Sequence, residues 1–152
     1  MAERRELSFS TLDEVMPEVD RLLEGHTTTG QWSLGQICNH LGTAIQYTVE
    51  GFPEQAPWLL RRTVGPVAKR QVLSSGVMPE GVKLPEKYLP KPGLDSRAEA
   101  EALRATIRLL AAHAGRLADH PLFGSMSRDE WMRYHAIHSA HHLSFALPHS
   151  PS

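Results

Sequence analysis

Apolar residues recur at three- and four-residue steps in four separate stretches of this chain, and each stretch predicts an amphipathic helix. The first runs from about Thr11 to Leu23, with Leu12, Val15, Met16, Val19, Leu22 and Leu23 on one stripe. Ser10 or Thr11 can cap its start while Asp13 or Glu14 reaches back to the free amides. Pro17, inside the pattern, predicts a kink or a later start, and Gly25 ends it. The small polar residues 26–31 predict a loop. Ser33 with Gln36 then opens a second helix to about Thr48, whose buried stripe is Leu34, Ile37, Leu41, Ala44, Ile45 and Thr48. Ser96 and Glu99 open a third, to about Ala118, with Leu103, Ile107, Leu110, Ala114 and Leu117 inward. His120-Pro121 ends it and a compact turn over residues 122–125 follows. The fourth has the clearest start: Ser127 and Glu130 form a capping box, and Met126 and Trp131 stand where a hydrophobic staple would. It is expected to reach Leu147, before Pro148. No run of strand period has useful length.

Between the second and third helices, residues 51–94 hold most of the prolines and several glycines. Proline removes an amide donor and biases its predecessor away from helix, so no long helix fits after Ser75, although a short one fits around Trp58 to Leu73. Such a stretch is either a cover over a site or an ordered connector. Four capped helices, each needing a neighbour for its apolar face, predict an all-α antiparallel four-helix bundle with this long Pro/Gly-rich crossover between helices 2 and 3. The length of 152 residues suits one domain, 1–152.

Composition narrows the function classes. A formal net charge of −1 supplies no overall field to draw in nucleic acid or an anionic membrane, and the local basic group Arg61, Arg62, Lys69 and Arg70 reads as a solvated helix face. The single cysteine, Cys38, excludes an internal disulfide framework and a cysteine-based zinc knuckle; with no activating base near it in sequence, it reads as a small core or surface residue. The first residues lack the apolar core of a secretory signal and no apolar run approaches membrane-spanning length, so the expected compartment is the cytoplasm.

The nine histidines change the picture, because four of them, His135, His138, His141 and His142, fall within eight residues. With Trp131 set at zero on a helical wheel, His138 falls at about −20°, His142 at about +20°, Phe145 at about −40° and His135 at about +40°, while His141 sits near −80°. His138 and His142 therefore lie one turn apart on the inward face, where their imidazoles can share one ion, while the pairs His138 with His141 and His135 with His138 are geometrically possible but less well centred. On the second helix His40 lies about 60° from the centre of the buried stripe and can also look inward. Imidazole is a common ligand for zinc, nickel and iron, and three protein ligands leave a further coordination position for water or substrate. The competing reading is a set of hydrogen-bonded core histidines, each of which must then satisfy two ring nitrogens away from water. His26, His113, His120 and His149 read as loop or surface residues without a role.

The segment Trp32-Ser33-Leu34-Gly35-Gln36-Ile37-Cys38-Asn39-His40-Leu41 resembles the second-helix motif of DinB-like proteins. The run His120-Pro121-Leu122-Phe123-Gly124, then Trp131, then His138-Ser139-Ala140-His141-His142-Leu143 resembles one uncharacterised branch of that superfamily. The resemblance implies a divalent-metal site built from His40, His138 and His142, the same residues that helical angle selects. Many relatives carry arginine or glycine and then glutamine after the paired histidines; here Leu143-Ser144-Phe145 stands instead. The resemblance further implies a metal-dependent transferase acting on a low-molecular-weight thiol, and it allows homodimerisation. His141, His135 or Tyr134 could then supply a proton or hydrogen bond, packing being the other role open to each. Two other readings stay open: a metal-dependent hydrolase, which the lack of an inward Asp or Glu disfavours, and a non-catalytic metal-stabilised binding module.

Overall fold

In the computed structural model, which describes residues 3–79 and 84–149, the three longest helices each begin where a short polar side chain takes up a free amide. Glu14 reaches back to the amides of Ser10 and Thr11 at 2.6 and 2.8 Å, forming a single 3-10 turn, Leu12–Glu14, before α1, Val15–Leu23. Pro17 falls in the first turn of α1, where its missing donor costs nothing. Ser33 and Gln36 cap α2, Leu34–Glu50, with bonds of 2.8 and 3.1 Å. Ser127 and Glu130 do the same for α6, Arg128–Leu143, at 2.9 and 3.1 Å.

The third long helix, α5, spans Ser96–Ala112 and corrects the sequence reading at both ends. Its cap is Asp95, which accepts from the Ala98 amide at 2.8 Å, and Glu99 instead accepts from Asn39 across to α2 at 2.9 Å. The helix stops six residues before Ala118 because His113 is extended and Arg128 ties off the carbonyls of Leu110, Ala111 and His113. The freed strand of chain carries Leu117 into the core. There the Ala118 amide donates to the Thr48 carbonyl at 2.9 Å, and the Ala118 carbonyl receives the Trp131 indole at 3.0 Å.

The crossover holds two short helices, α3, Trp58–Arg62, and α4, Val64–Ser75. They are split at Thr63 because Pro66 has no amide to offer the Arg62 carbonyl. A left-handed Gly76 (φ 73°) closes α4, and residues 80–83 of the crossover lie outside the described residues. Gly65 lets α4 close on the turn after His120: a β-carbon there would stand 2.2 Å from the Leu122 carbonyl oxygen. Gly65→Ala should therefore cost about 2 kcal/mol and lower Tm by about 5 °C. A thermal melt showing no change would contradict that packing.

Two short strands, β1 (His26–Thr28) and β2 (Ala146–Pro148), pair antiparallel, with Thr28 opposite Ala146 and His26 opposite Pro148. The expected loop at 26–31 and the expected helical end at Leu147 are both corrected by this pairing. Pro148 cannot extend a helix, and the 146–148 backbone finds partners in β1 instead.

The chain is thus mostly helical with one small sheet. α2 and α6 run in opposite directions, since His40 meets His138 while Thr48 meets His135. The antiparallel arrangement expected from sequence is corrected here, because the crossover brings the chain back to the start of α2 and α5 then runs in the same direction: Gly35 faces Leu94 and Ser96, and Gly42 faces Leu103 and Thr106. The core lies among these helices and includes Val15, Val19, Leu22, Leu34, Leu41, Ile45, Leu103, Leu110, Trp131 and Leu143, all but sealed from solvent. Within α6 the residues from Tyr134 to Ala140 are all buried, so it is the central helix. Among the described residues no helix is long and apolar enough to cross a membrane.

Candidate metal centre

Two helices that cross the core in opposite directions bring His40 of α2 against His138 and His142 of α6. The three ring centroids form a nearly equilateral triangle, 4.9 Å for His40–His138, 4.6 Å for His40–His142 and 4.7 Å for His138–His142. The rings stand edge-on to one another, with interplanar angles of 67°, 71° and 86°. One nitrogen from each lies within 4.8 Å of the other two, and among the described residues no cysteine or carboxylate joins the group.

This geometry suits an ion better than a hydrogen-bonded cluster. The Nε2 atoms of His40 and His138 are 3.1 Å apart. Zinc–nitrogen bonds of about 2.0 Å at tetrahedral angles would place two such atoms about 3.3 Å apart. Without a cation, one proton at most bridges that pair. Nδ1 of His138 is buried with no hydrogen-bond partner in the protein, and an ion held at Nε2 leaves it so. The triad could hold a divalent ion.

Electrostatics agree. Burial pushes His40 down to about 4, with neighbouring His141 adding to the effect. Burial pushes His142 to about 2, helped by His40, His141 and Arg4. His138 is also held well below its ordinary value, by burial and then by the surrounding histidines. All three are neutral near pH 7 and present lone pairs rather than protons.

Around the triad lies an aromatic shell. Trp32, on the turn before α2, stacks on His142 (5.3 Å, 17°) and tilts against His40 (5.0 Å). Tyr134, one turn below His138 on α6, stacks on it at 5.5 Å, and burial raises its pKa, so its hydroxyl keeps its proton. His141 sits edge-on to His142 at 4.9 Å. His135 is sealed in the core one layer deeper, between the Trp131 indole and the Thr48 hydroxyl, which lies 2.9 Å from its Nε2. Burial and neighbouring His120 push His135 down to about 3. Because Thr48 donates to the Ala44 carbonyl at 2.9 Å, Nε2 of His135 is the donor to Thr48.

The remaining histidines divide. His26 and His113 bond locally, to the Leu22 and Arg116 carbonyls, while His149 reaches the Thr27 hydroxyl across the β1–β2 pair. His120 is a correction. Although it sits in a loop, it is mostly buried, stacked on Phe123 at 4.0 Å, and its Nδ1 accepts from both the Leu122 and Phe123 amides at 3.0 Å. Its Nε2 therefore carries the proton, and burial pushes its pKa down to about 3. The His120-Pro121 pair, read only as a helix stop, is the visible signal of this folded turn. Cys38 is buried in the core and burial pushes its thiol up to about 12, so it offers no thiolate. Trp32 and Thr48 were not assigned functional contacts from sequence. Only the tertiary fold brings the first over the triad and the second under His135.

No curated protein and no solved structure matches the chain. A family model described as "Protein of unknown function (DUF1569)" matches residues 1–149, nearly the whole length and both histidine-bearing helices, and the chain belongs to that family.

Proposed function

We propose that this protein is a divalent-metal-dependent enzyme of the DinB-like type, with α1, α2, α5 and α6 as its four-helix bundle and His40, His138 and His142 as its ligands. The reaction is a transfer that uses a low-molecular-weight thiol. The observation that carries this reading is the convergence of three neutral imidazoles, from two helices 98 residues apart in sequence at the His40–His138 contact, on one point within reach of a single ion. Zinc, nickel and iron all suit such a nitrogen donor set.

An ion held there supplies Lewis acidity, which lowers the pKa of a thiol or water brought beside it. The chain's own contributions are of three kinds. His40, His138 and His142 offer uncharged nitrogens and leave coordination positions for a small molecule. Trp32 and Tyr134 wall the triad with aromatic surface that excludes water. The protonated Tyr134 hydroxyl and the half-buried His141 are the nearest candidates to hold or pass a proton to a reacting group. The absence of a carboxylate from the group, among the described residues, favours thiol transfer over hydrolysis, which calls for a base beside the attacking water.

Cobalt-substituted protein tests this directly. A low-molecular-weight thiol should shift the visible cobalt spectrum and introduce a sulfur-to-metal charge-transfer band. Turnover of an electrophile should then require both metal and thiol. A spectrum indifferent to thiols, together with ester hydrolysis without thiol, would replace this reading with the hydrolytic one.

A further inference from the structure

Among the described residues, Trp32 is the one side chain stacked face-on against a triad imidazole from outside both ligand-bearing helices. Its ring lies nearly parallel to His142 of α6 and packs against His40 of α2. The backbone that carries it is held on both sides. Upstream, the Thr29 amide and hydroxyl both reach the Phe145 carbonyl, at 2.9 and 3.1 Å, just past the end of α6. Downstream, the capping box ties the Ser33 amide to Gln36 at 2.8 Å. Trp32 therefore sits on a short bridge between the end of α6 and the start of α2, with its indole over the gap where their histidines meet.

We infer that Trp32 is a positioning residue for the metal centre, an aromatic clamp that fixes the ring planes of His142 and His40 together and favours the loaded site over the empty one. This rests on the metal reading proposed above. Two physical effects support it. A histidine ring must aim its lone pair at the ion, and a flat indole against His142 removes rotation that binding would otherwise have to freeze out. A bound divalent cation also draws charge from its imidazoles and leaves them partly positive, and the electron-rich face of an indole attracts such a ring. The first effect follows from any large flat side chain. The second requires an aromatic face and is strongest for tryptophan, so phenylalanine should rescue the site in part and alanine should not.

The test measures zinc affinity by chelator competition, and thermal stability with and without zinc, for wild type, Trp32→Phe and Trp32→Ala. Trp32→Ala should weaken zinc binding by about 3- to 10-fold, the span expected from losing one aromatic contact pair, with Trp32→Phe in between. Stability of the metal-free protein should change little, because Trp32 is only half-buried on a turn. Indole emission gives an independent readout. Adding cobalt should quench wild type more strongly than Trp32→Phe, since the other two tryptophans, Trp58 and Trp131, remain in both. Equal zinc affinities in all three proteins would overturn the clamp while leaving the three-histidine site standing. Wild type that binds no zinc would overturn both. Should Trp32→Ala fail to fold, equal affinity and equal quenching in Trp32→Phe and wild type would overturn the clamp.

Discussion

Exchanging His138 for alanine is expected to strip the protein of its divalent ion, with zinc falling from about one per chain to background and affinity dropping by at least about 100-fold. His138 is the most buried member of the triad, and its Nε2 lies 3.1 Å from that of His40. Structural zinc sites with four ligands are worth about 10–16 kcal/mol, so each ligand contributes about 3 kcal/mol, which is a factor of about 100. The same exchange should not weaken the metal-free fold much, because it opens a small cavity but also removes a buried nitrogen that has no partner. The diagnostic result is therefore a lost increment. Zinc at 100 times its wild-type Kd should stabilise wild type by about 2.7 kcal/mol and His138→Ala by no more than about 0.4 kcal/mol. Metal analysis and paired melts would decide it, and a variant that keeps both its zinc and its zinc-induced stabilisation would place the ion somewhere else.

Acid should unfold the metal-free protein near pH 5, well above the range in which carboxylates alone act. Five histidines titrate far lower in the folded chain than in an unfolded one, where the ordinary value is 6.5. His40 stands at about 4, His120 and His135 at about 3, and His142 at about 2, with burial the leading cause in each; His138 is low for the same reason. Below pH 6.5 the unfolded chain binds protons that the folded chain refuses. Stability is therefore full above 6.5 and is lost as pH falls toward the folded values. At pH 5 His40, His120, His135 and His142 each withdraw about 2 kcal/mol, about 8 kcal/mol together, and His138 acts in the same direction, against a total stability of about 5–15 kcal/mol for a domain. Zinc should carry the transition to lower pH, since protons and metal compete for three of the five. Melts at half-unit steps from pH 7.5 to 4.5 would check both, and a flat Tm across that range would contradict the burial of these imidazoles.

The starts of α2 and α6 were legible because capping is local, whereas the box expected at Ser96 and Glu99 of α5 gives way to a cap by Asp95. Ser33 with Gln36 and Ser127 with Glu130 settle their own amides within four residues, whatever the rest of the chain does. Helix ends were harder to read. α5 was expected to continue to Ala118 because Ala114 and Leu117 keep the apolar spacing, yet a side chain from 15 residues away, Arg128, takes up its last carbonyls. α6 was expected to reach Leu147, but the backbone beyond it pairs with a strand some 120 residues earlier. Periodicity records which side of a segment is apolar and says nothing of a partner that competes for its backbone.

The candidate site divides in the same way. That His138 and His142 share one face of one helix is a consequence of 3.6 residues per turn, and His40 on an inward flank of another follows from the same arithmetic. Chain order alone therefore determined three histidines available to a common point, and the local starts of the helices that carry them. The tertiary fold decided that α6 runs against α2 so that the rings meet, that Trp32 is laid across two of them, that His135 is sealed inside and that His120 is mostly buried. It also set the direction of α5 along α2, through a crossover that local pattern could only mark as long. The reason is range: helical angle and capping act over a few residues, whereas the His40–His138, Thr48–His135 and Trp32–His142 contacts join residues 87 to 110 apart.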